Sequence, residues 1–307
     1  MLSKIATAIE FPNLHIKIDS LPKSFSVFGF EISFYGLIIA IGMLLGIFLV
    51  LYEAKKTGQD YNTYIDLAIF VIIVGVVCAR LYYVIFRWEY YSSNFGEIIN
   101  IRGGGLAIYG GVIGAVVTAI IFCKVKKKHF GQVADTAILG LLVGQIIGRW
   151  GNFFNREAYG GVTGNSNPFA MRLFFGKEFT IGQVPSSVLK GMAKITPKSV
   201  IDLKYVQVHP TFLYESTWNL LVLILILIFR RKKAFQGEVF IWYLGGYGLG
   251  RFFIEGLRSD QLLLPWGWPV SQVLSALLVV GAIVAEIIIR KRIKGRKLKN
   301  TQSGKLG

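Results

Sequence analysis

Cysteine and histidine are scarce in this chain, with two and three residues among 307. Cys78 and Cys123 fall inside or at the end of apolar blocks. They read as small core residues, which excludes a disulfide framework and a thiolate metal site. His15, His129 and His209 are far apart and lack ligand spacing, so no metal is expected. Acid is outnumbered two to one, 17 residues against 34 basic ones, for a net charge of +17. Paired carboxylates at helical spacing are missing, which argues against metal-dependent chemistry of the acidic-motif kind. The N-terminus has no short charged-then-apolar stretch ending in a small-residue cleavage site, so a cleaved leader is not expected.

What the chain has in excess is apolar residue, 53% of the total, with a mean hydropathy of +0.55. These residues are gathered into blocks instead of recurring at period 3.6, the mark of an integral membrane protein. Seven blocks suit the ~17–25 residues a bilayer needs: 32–52, 66–86, 106–123, 133–148, 212–229, 239–257 and 270–289. The fourth is short and carries Asp135 and Gln145. Basic runs at 124–128 and 230–233 flank blocks four and five; placed on one side by the positive-inside rule, they require block four to cross. The loops 53–65, 124–132, 230–238 and the tail hold 18 Lys and Arg, against 6 in the opposite arm and loops 1–31, 87–105 and 258–269; the 149–211 segment is left out of this count, because long loops translocate largely regardless of charge. The N-terminus is therefore expected outside and the C-terminus in the cytoplasm. The positive charge is an inner-face signal with affinity for anionic lipid. Nucleic-acid binding fits poorly, because the charge is split among loops between spans.

The expected organisation is an all-α, seven-helix polytopic protein in five parts. An outer-face arm covers 1–31, spans one to four 32–148, an outer-face head 149–211, spans five to seven 212–289, and a basic tail 290–307. The 149–211 segment is too long for a simple connection. Its short apolar stretches at 169–175 and 179–184, set between Gly, Asn and Pro turns, predict some β structure.

Polar residues collect at one end of the spans. Arg149 and Asn152 end span four, and His209 and Glu215 begin span five. Tyr247, Arg251 and Glu255 recur at i, i+4 and i+8 with Arg258 at i+11, one face of span six. Arg80, Tyr35 and Tyr109 lie in the outer halves of spans two, one and three. Several Arg at that depth suit an anionic lipid headgroup. Each also has a plainer reading. Arg149, Arg156 and Arg258 fit snorkelling at helix ends, Arg251 with Glu255 fits a structural ion pair, and Tyr35 and Tyr109 fit an aromatic belt. Glycines at 103–105, 110–111 and 114 fit close helix packing, and His209 before Pro210 fits a helix-start cap.

The run Gly148-Arg149-x-Gly151-Asn152-Phe153-x-Asn155-x-Glu157-x-x-Gly160 resembles the signature of bacterial prolipoprotein diacylglyceryl transferases at its eight fixed positions. His209-Pro210-Thr211-x-Leu213-Tyr214-Glu215, Arg251-Phe252-x-x-Glu255-x-x-Arg258 and Ser33-Phe34-Tyr35-Gly36 extend the resemblance over about residues 30–290. It implies transfer of the diacylglyceryl group of phosphatidylglycerol to the lipobox cysteine of a prolipoprotein signal peptide. A thioether forms, glycerol phosphate leaves, and no metal or cofactor takes part. The setting is the bacterial cytoplasmic membrane.

By the same resemblance Arg149 and Arg251 hold the phosphate, while Asn152, Glu157 and Gly160 shape the headgroup pocket. Glu255 orients Arg251, and Arg258, Tyr35 and Tyr247 lie at the lipid; Arg80 joins them by its position in the outer half of span two. Many members carry His where this chain has Tyr109, and Gln where it has Phe212. Tyr109 and His209 both remain candidates for handling the thiol proton. A non-enzymatic transporter of an anionic lipid or solute is the alternative. No internal repeat supports it, and the polar residues avoid the midplane.

Overall fold

A computed structural model of the chain describes residues 6–101, 104–175, 205–259 and 261–303. Helices form over all seven apolar blocks: α1 Phe34–Lys56, α2 Tyr61–Phe86, α3 Ile108–Val125, α4 Phe130–Asn155, α5 Thr211–Phe229, α6 Glu238–Leu257 and α7 Val270–Ser303. Six are long and apolar enough to cross a membrane. The exception is α6, diluted by Glu238, Arg251 and Glu255. The protein is thus a mostly helical, multi-pass membrane protein with a small sheet region.

Two compact units divide the chain, one of residues 1–46, 141–234 and 241–307, the other of 47–140 and 235–240. In the first, the arm is built into a sheet. Strands β1 Ala6–Phe11, β2 Ile16–Ile18, β5 Met171–Phe175 and β6 Tyr205–Val208 run in the order β2-β1-β5-β6, all antiparallel. A separate hairpin joins β3 Ser24–Val27 to β4 Phe30–Ser33. The β expectation at 169–175 is met by β5; the stretch at 179–184 lies outside the described residues. Alternation sends Ile9, Phe11, Met171, Leu173, Val206 and Val208 to one face, where they bury against Phe153 of α4, Tyr159 just after it and Phe212 of α5. That core clamps the end of α4 to the start of α5, the two helix ends that carry Arg149 and Glu215.

In the second unit α2 and α3 pack closely. A Cβ on Gly110 would stand 2.5 Å from the Cys78 carbonyl, and one on Gly114 2.6 Å from the Cys78 Cβ, the small-residue contact that lets membrane helices touch. The puzzling Asp135 of α4 is buried and accepts hydrogen bonds from the Gly237 and Phe240 N–H groups, each at 2.9 Å. It caps the start of α6 from another helix, so its charge replaces a missing local cap.

Arg80, expected among the lipid ligands, has another employment in this unit. Its Nε donates to the Ile98 carbonyl at 2.8 Å and Nη2 to that of Glu97 at 2.6 Å. Its Nη1 donates to Gly104 at 3.0 Å and Gly105 at 2.8 Å. The guanidinium also lies against Tyr91, 5.1 Å from the ring centre. It organises the loop between α2 and α3. Arg80→Met removes the donors to four carbonyls and is expected to cost about 2 kcal/mol, read as a lower thermal midpoint in detergent. An unchanged midpoint would remove this structural assignment.

Candidate functional site

The signature run closes α4 with a turn that few residues adopt. Arg156 has φ 53° and Ala158 φ 55°, both in the left-handed region. The Arg156 N–H bonds the Phe153 carbonyl at 2.9 Å and the Glu157 N–H that of Asn152 at 3.0 Å. This pair is the Schellman closure, with Arg156 where glycine is usual. The left-handed conformation costs a non-glycine residue ~1–2 kcal/mol. Arg156 is buried and donates through Nη1 to the Leu21 carbonyl, which offsets that strain. The turn folds Glu157 back over the helix end, where it accepts from Asn152 Nδ2 at 3.0 Å and Asn155 Nδ2 at 3.3 Å.

Beside it stands an ion-pair cluster drawn from α4, α5 and α6. Glu215 Oε2 lies 2.6 Å from Arg149 Nη2, and Glu215 Oε1 lies 2.6 Å from Arg251 Nη1 and 3.8 Å from Arg258 Nη1. Glu255 Oε2 is 2.5 Å from Arg251 Nη2 and 3.9 Å from Arg258 Nε. Arg149 Nη1 reaches Asn152 Oδ1 at 3.4 Å. Both carboxylates are 4% exposed, whereas Arg149 keeps 22%, Arg251 14% and Arg258 13%. Three guanidinium groups thus face two buried carboxylates, and the cations hold the more accessible edge. Glu157 is linked to Arg149 through Asn152, so the formal charges of the whole group balance. What the arrangement offers chemically is guanidinium N–H groups on the accessible edge, able to donate to an anion where electrostatics are weakly screened.

Other expected residues fall into place around it. The Tyr35 ring packs on Gly151, where a Cβ would be 2.9 Å from Cδ2. Tyr247 stacks on Tyr243 at 5.5 Å, and Gln145 Nε2 donates to the Tyr243 hydroxyl at 2.9 Å. This forms a polar layer one turn below the arginines. Gly160 is a backbone crossing point: its N–H donates to the His209 carbonyl at 2.8 Å, and it forms a bridge with Arg258.

His209 is half-buried and precedes α5. The Phe169 N–H donates to Asn167 Oδ1 at 3.0 Å, which turns Asn167 Nδ2 toward His209 Nδ1 at 3.1 Å. Nδ1 therefore accepts and the neutral ring carries its proton on Nε2. Burial holds the imidazole below its ordinary pKa, so the buried ring is neutral at pH 7. Its Nδ1 also lies 3.3 Å from the Tyr214 hydroxyl. These bonds tie His209 to the loop at 163–169 and not to the arginines. Tyr109 stands in the first turn of α3, half-buried, in the second unit.

Glu215 is the residue that sequence reading left without a role. Its signal was available: a carboxylate one turn into an apolar helix, ending the His209–Glu215 motif. No spacing rule could show that its partners lie on two other helices. Among the described residues no group of three or more His, Cys, Asp or Glu could hold a metal ion.

Comparison with known proteins adds a family. The family model described as prolipoprotein diacylglyceryl transferase matches residues 22–288. Relatives named phosphatidylglycerol–prolipoprotein diacylglyceryl transferase include one from Clostridioides difficile, 41% identical over 88% of this chain and 96% of its own length. One from Listeria monocytogenes is 44% identical over 89% of this chain and 90% of its own. One from Bacillus licheniformis is 42% identical over 92% and 96%.

Proposed function

The chain belongs to the prolipoprotein diacylglyceryl transferase family, and we propose that its three-arginine, two-carboxylate cluster is where the transfer takes place. The enzyme moves the diacylglyceryl group of phosphatidylglycerol to a prolipoprotein. The acceptor is the thiol of a lipobox cysteine in the signal peptide. Its thiolate attacks the glyceryl carbon, the carbon–oxygen bond to phosphate breaks, and glycerol phosphate leaves. Two single negative charges, one on sulfur and one on the phosphodiester, end as two on the leaving phosphomonoester. Arg149 and Arg251 donate to the phosphoryl oxygens, where that charge develops. Preorganised donors of this kind are worth ~3–4 kcal/mol each in the transition state. The observation that carries the proposal is the pair of arginines 2.6 Å from opposite oxygens of one buried carboxylate.

Asn152 and Glu157 steady Arg149, Glu255 orients Arg251, and Arg258 adds a third cation. Tyr35 and Tyr247 border the lipid. All seven helices cross the membrane, α6 included, with the arginine cluster at the outer face and the basic tail in the cytoplasm. The membrane is the bacterial cytoplasmic one.

The thiol proton has two candidate acceptors, Tyr109 and His209. The lone pair of His209 is committed to Asn167, and a neutral phenol is a poor proton acceptor. The arginine cluster itself lowers a nearby thiol below its usual ~8.5, so Tyr109 serves as a hydrogen-bond partner of thiol or lipid. On this account His209→Asn keeps transfer within about tenfold and chiefly lowers the melting temperature. If transfer vanished while the melting temperature held and Tyr109→Phe stayed fully active across pH, His209 would be the base. Incubating the purified protein with phosphatidylglycerol and a lipobox peptide, then weighing the peptide, tests the function itself. A thioether adduct is expected; its absence, with lipid or solute carried across vesicles, would favour a transporter.

A further inference from the structure

The transfer uses the arginines and makes no use of Glu215, the carboxylate at their centre. A carboxylate and a phosphoryl group offer a guanidinium fork the same feature, two anionic oxygens side by side. Glu255 pairs with Arg251 and Arg258, from its own helix and the residues just past it. Glu215 does something different. From α5 it joins Arg149 on α4 to Arg251 on α6, as a bridging phosphate would.

We propose that Glu215 is a tethered competitor for the phosphate. It holds the arginines when no phosphate is bound, yields them to the phosphodiester monoanion, and recaptures them to expel glycerol phosphate. The proposal rests on the lipid-transfer reading above. Its logic is electrostatic. A clamp that stabilises the charge developing in the transition state also grips the doubly charged product, so turnover needs something to loosen it. A carboxylate fixed to the same fold acts at an effective concentration of ~mM or above. It opposes a dianion more strongly than a monoanion, because like charges repel in proportion to their product. The one side chain therefore favours entry of substrate over retention of product.

The test is inhibition of the full-length enzyme, in nanodiscs containing phosphatidylglycerol, by added glycerol phosphate, with uncharged glycerol as control. In Glu215→Gln the inhibition constant for glycerol phosphate is expected to fall about tenfold or more. Its kcat is expected to fall further than kcat/KM, as slow product release requires. A residue that merely braces the arginines would lower activity and weaken the phosphate contact instead. An unchanged or raised inhibition constant, in a variant that melts like wild type, overturns the proposal. If Glu215→Gln does not fold, Glu215→Asp keeps the charge but withdraws the carboxylate by one methylene. A smaller tightening in the same direction is then expected, and none overturns the idea. Wild-type enzyme that forms no thioether adduct would instead sink the functional reading.

Discussion

Arg149→Ala and Arg251→Ala are each expected to lower diacylglyceryl transfer at least a hundredfold. Loss of one preorganised donor to developing negative charge costs ~10²–10³ in kcat. Each substitution also leaves Glu215 or Glu255 buried beside fewer cations, which destabilises by ~3–5 kcal/mol when a buried pair is broken. The two effects separate by pairing variants. Arg149→Ala combined with Glu215→Gln should recover melting temperature without recovering transfer. Arg251→Lys keeps the charge but not the fork that bridges Glu215 and Glu255, so it should remain well below wild type. Labelled diacylglyceryl incorporated into a lipobox peptide measures all four. Near-wild-type incorporation by either alanine variant would remove the phosphate clamp from the mechanism.

Gly160→Ala should cripple the protein for a different reason. A Cβ there would lie 2.7 Å from the His209 Cβ and 2.8 Å from the Leu257 carbonyl oxygen. Neither neighbour is the loose end of a flexible side chain. Around it the Gly161 N–H donates to Leu257 at 2.6 Å and the His209 N–H to the Gly161 carbonyl at 3.1 Å. One methyl therefore pries apart three strands of chain: the signature run, the start of α5 and the end of α6 beside Arg258. A loss of ~3 kcal/mol or more is expected, the upper range of overpacking, with transfer falling as Arg258 shifts. Thermal unfolding followed by tryptophan fluorescence reads it. A midpoint within a degree of wild type would mean that the backbones have room, and that Gly160 lines a pocket as its motif position suggests.

Much of this architecture is legible in the residues. The seven apolar blocks became helices, because the run of hydrophobic residues and the backbone's need for internal hydrogen bonds point the same way. The spacing of Arg251, Glu255 and Arg258 correctly implied one face, since helical geometry is local. Tertiary partners were harder to foresee. Asp135 weakened the case for α4 until its role as a cap for α6 was visible. Arg80 resembles a ligand arginine in sequence, and only the carbonyls around it distinguish the two. The strand Ala6–Phe11 is six residues long; its near partner β2 has only three residues, and its other partner β5 lies far along the chain. Glu215 was placed at the right helix end, but its three arginines come from elsewhere.

The pairing of β1 with β5 also sets a timetable. Ile9 faces Ile18 of β2 on one side and Leu173 of β5 on the other, so one edge of β1 is paired early and the other waits for a partner made long after it. At ~5–20 residues per second that wait is roughly ten to thirty seconds. Arg149 likewise precedes both carboxylates, first Glu215 and then Glu255. A half-made chain therefore carries an open strand edge and a cation whose partners do not yet exist. Assembly of the site is one of the last events in the protein's making, and a stalled ribosome would leave the machinery for handling lipid phosphate incomplete.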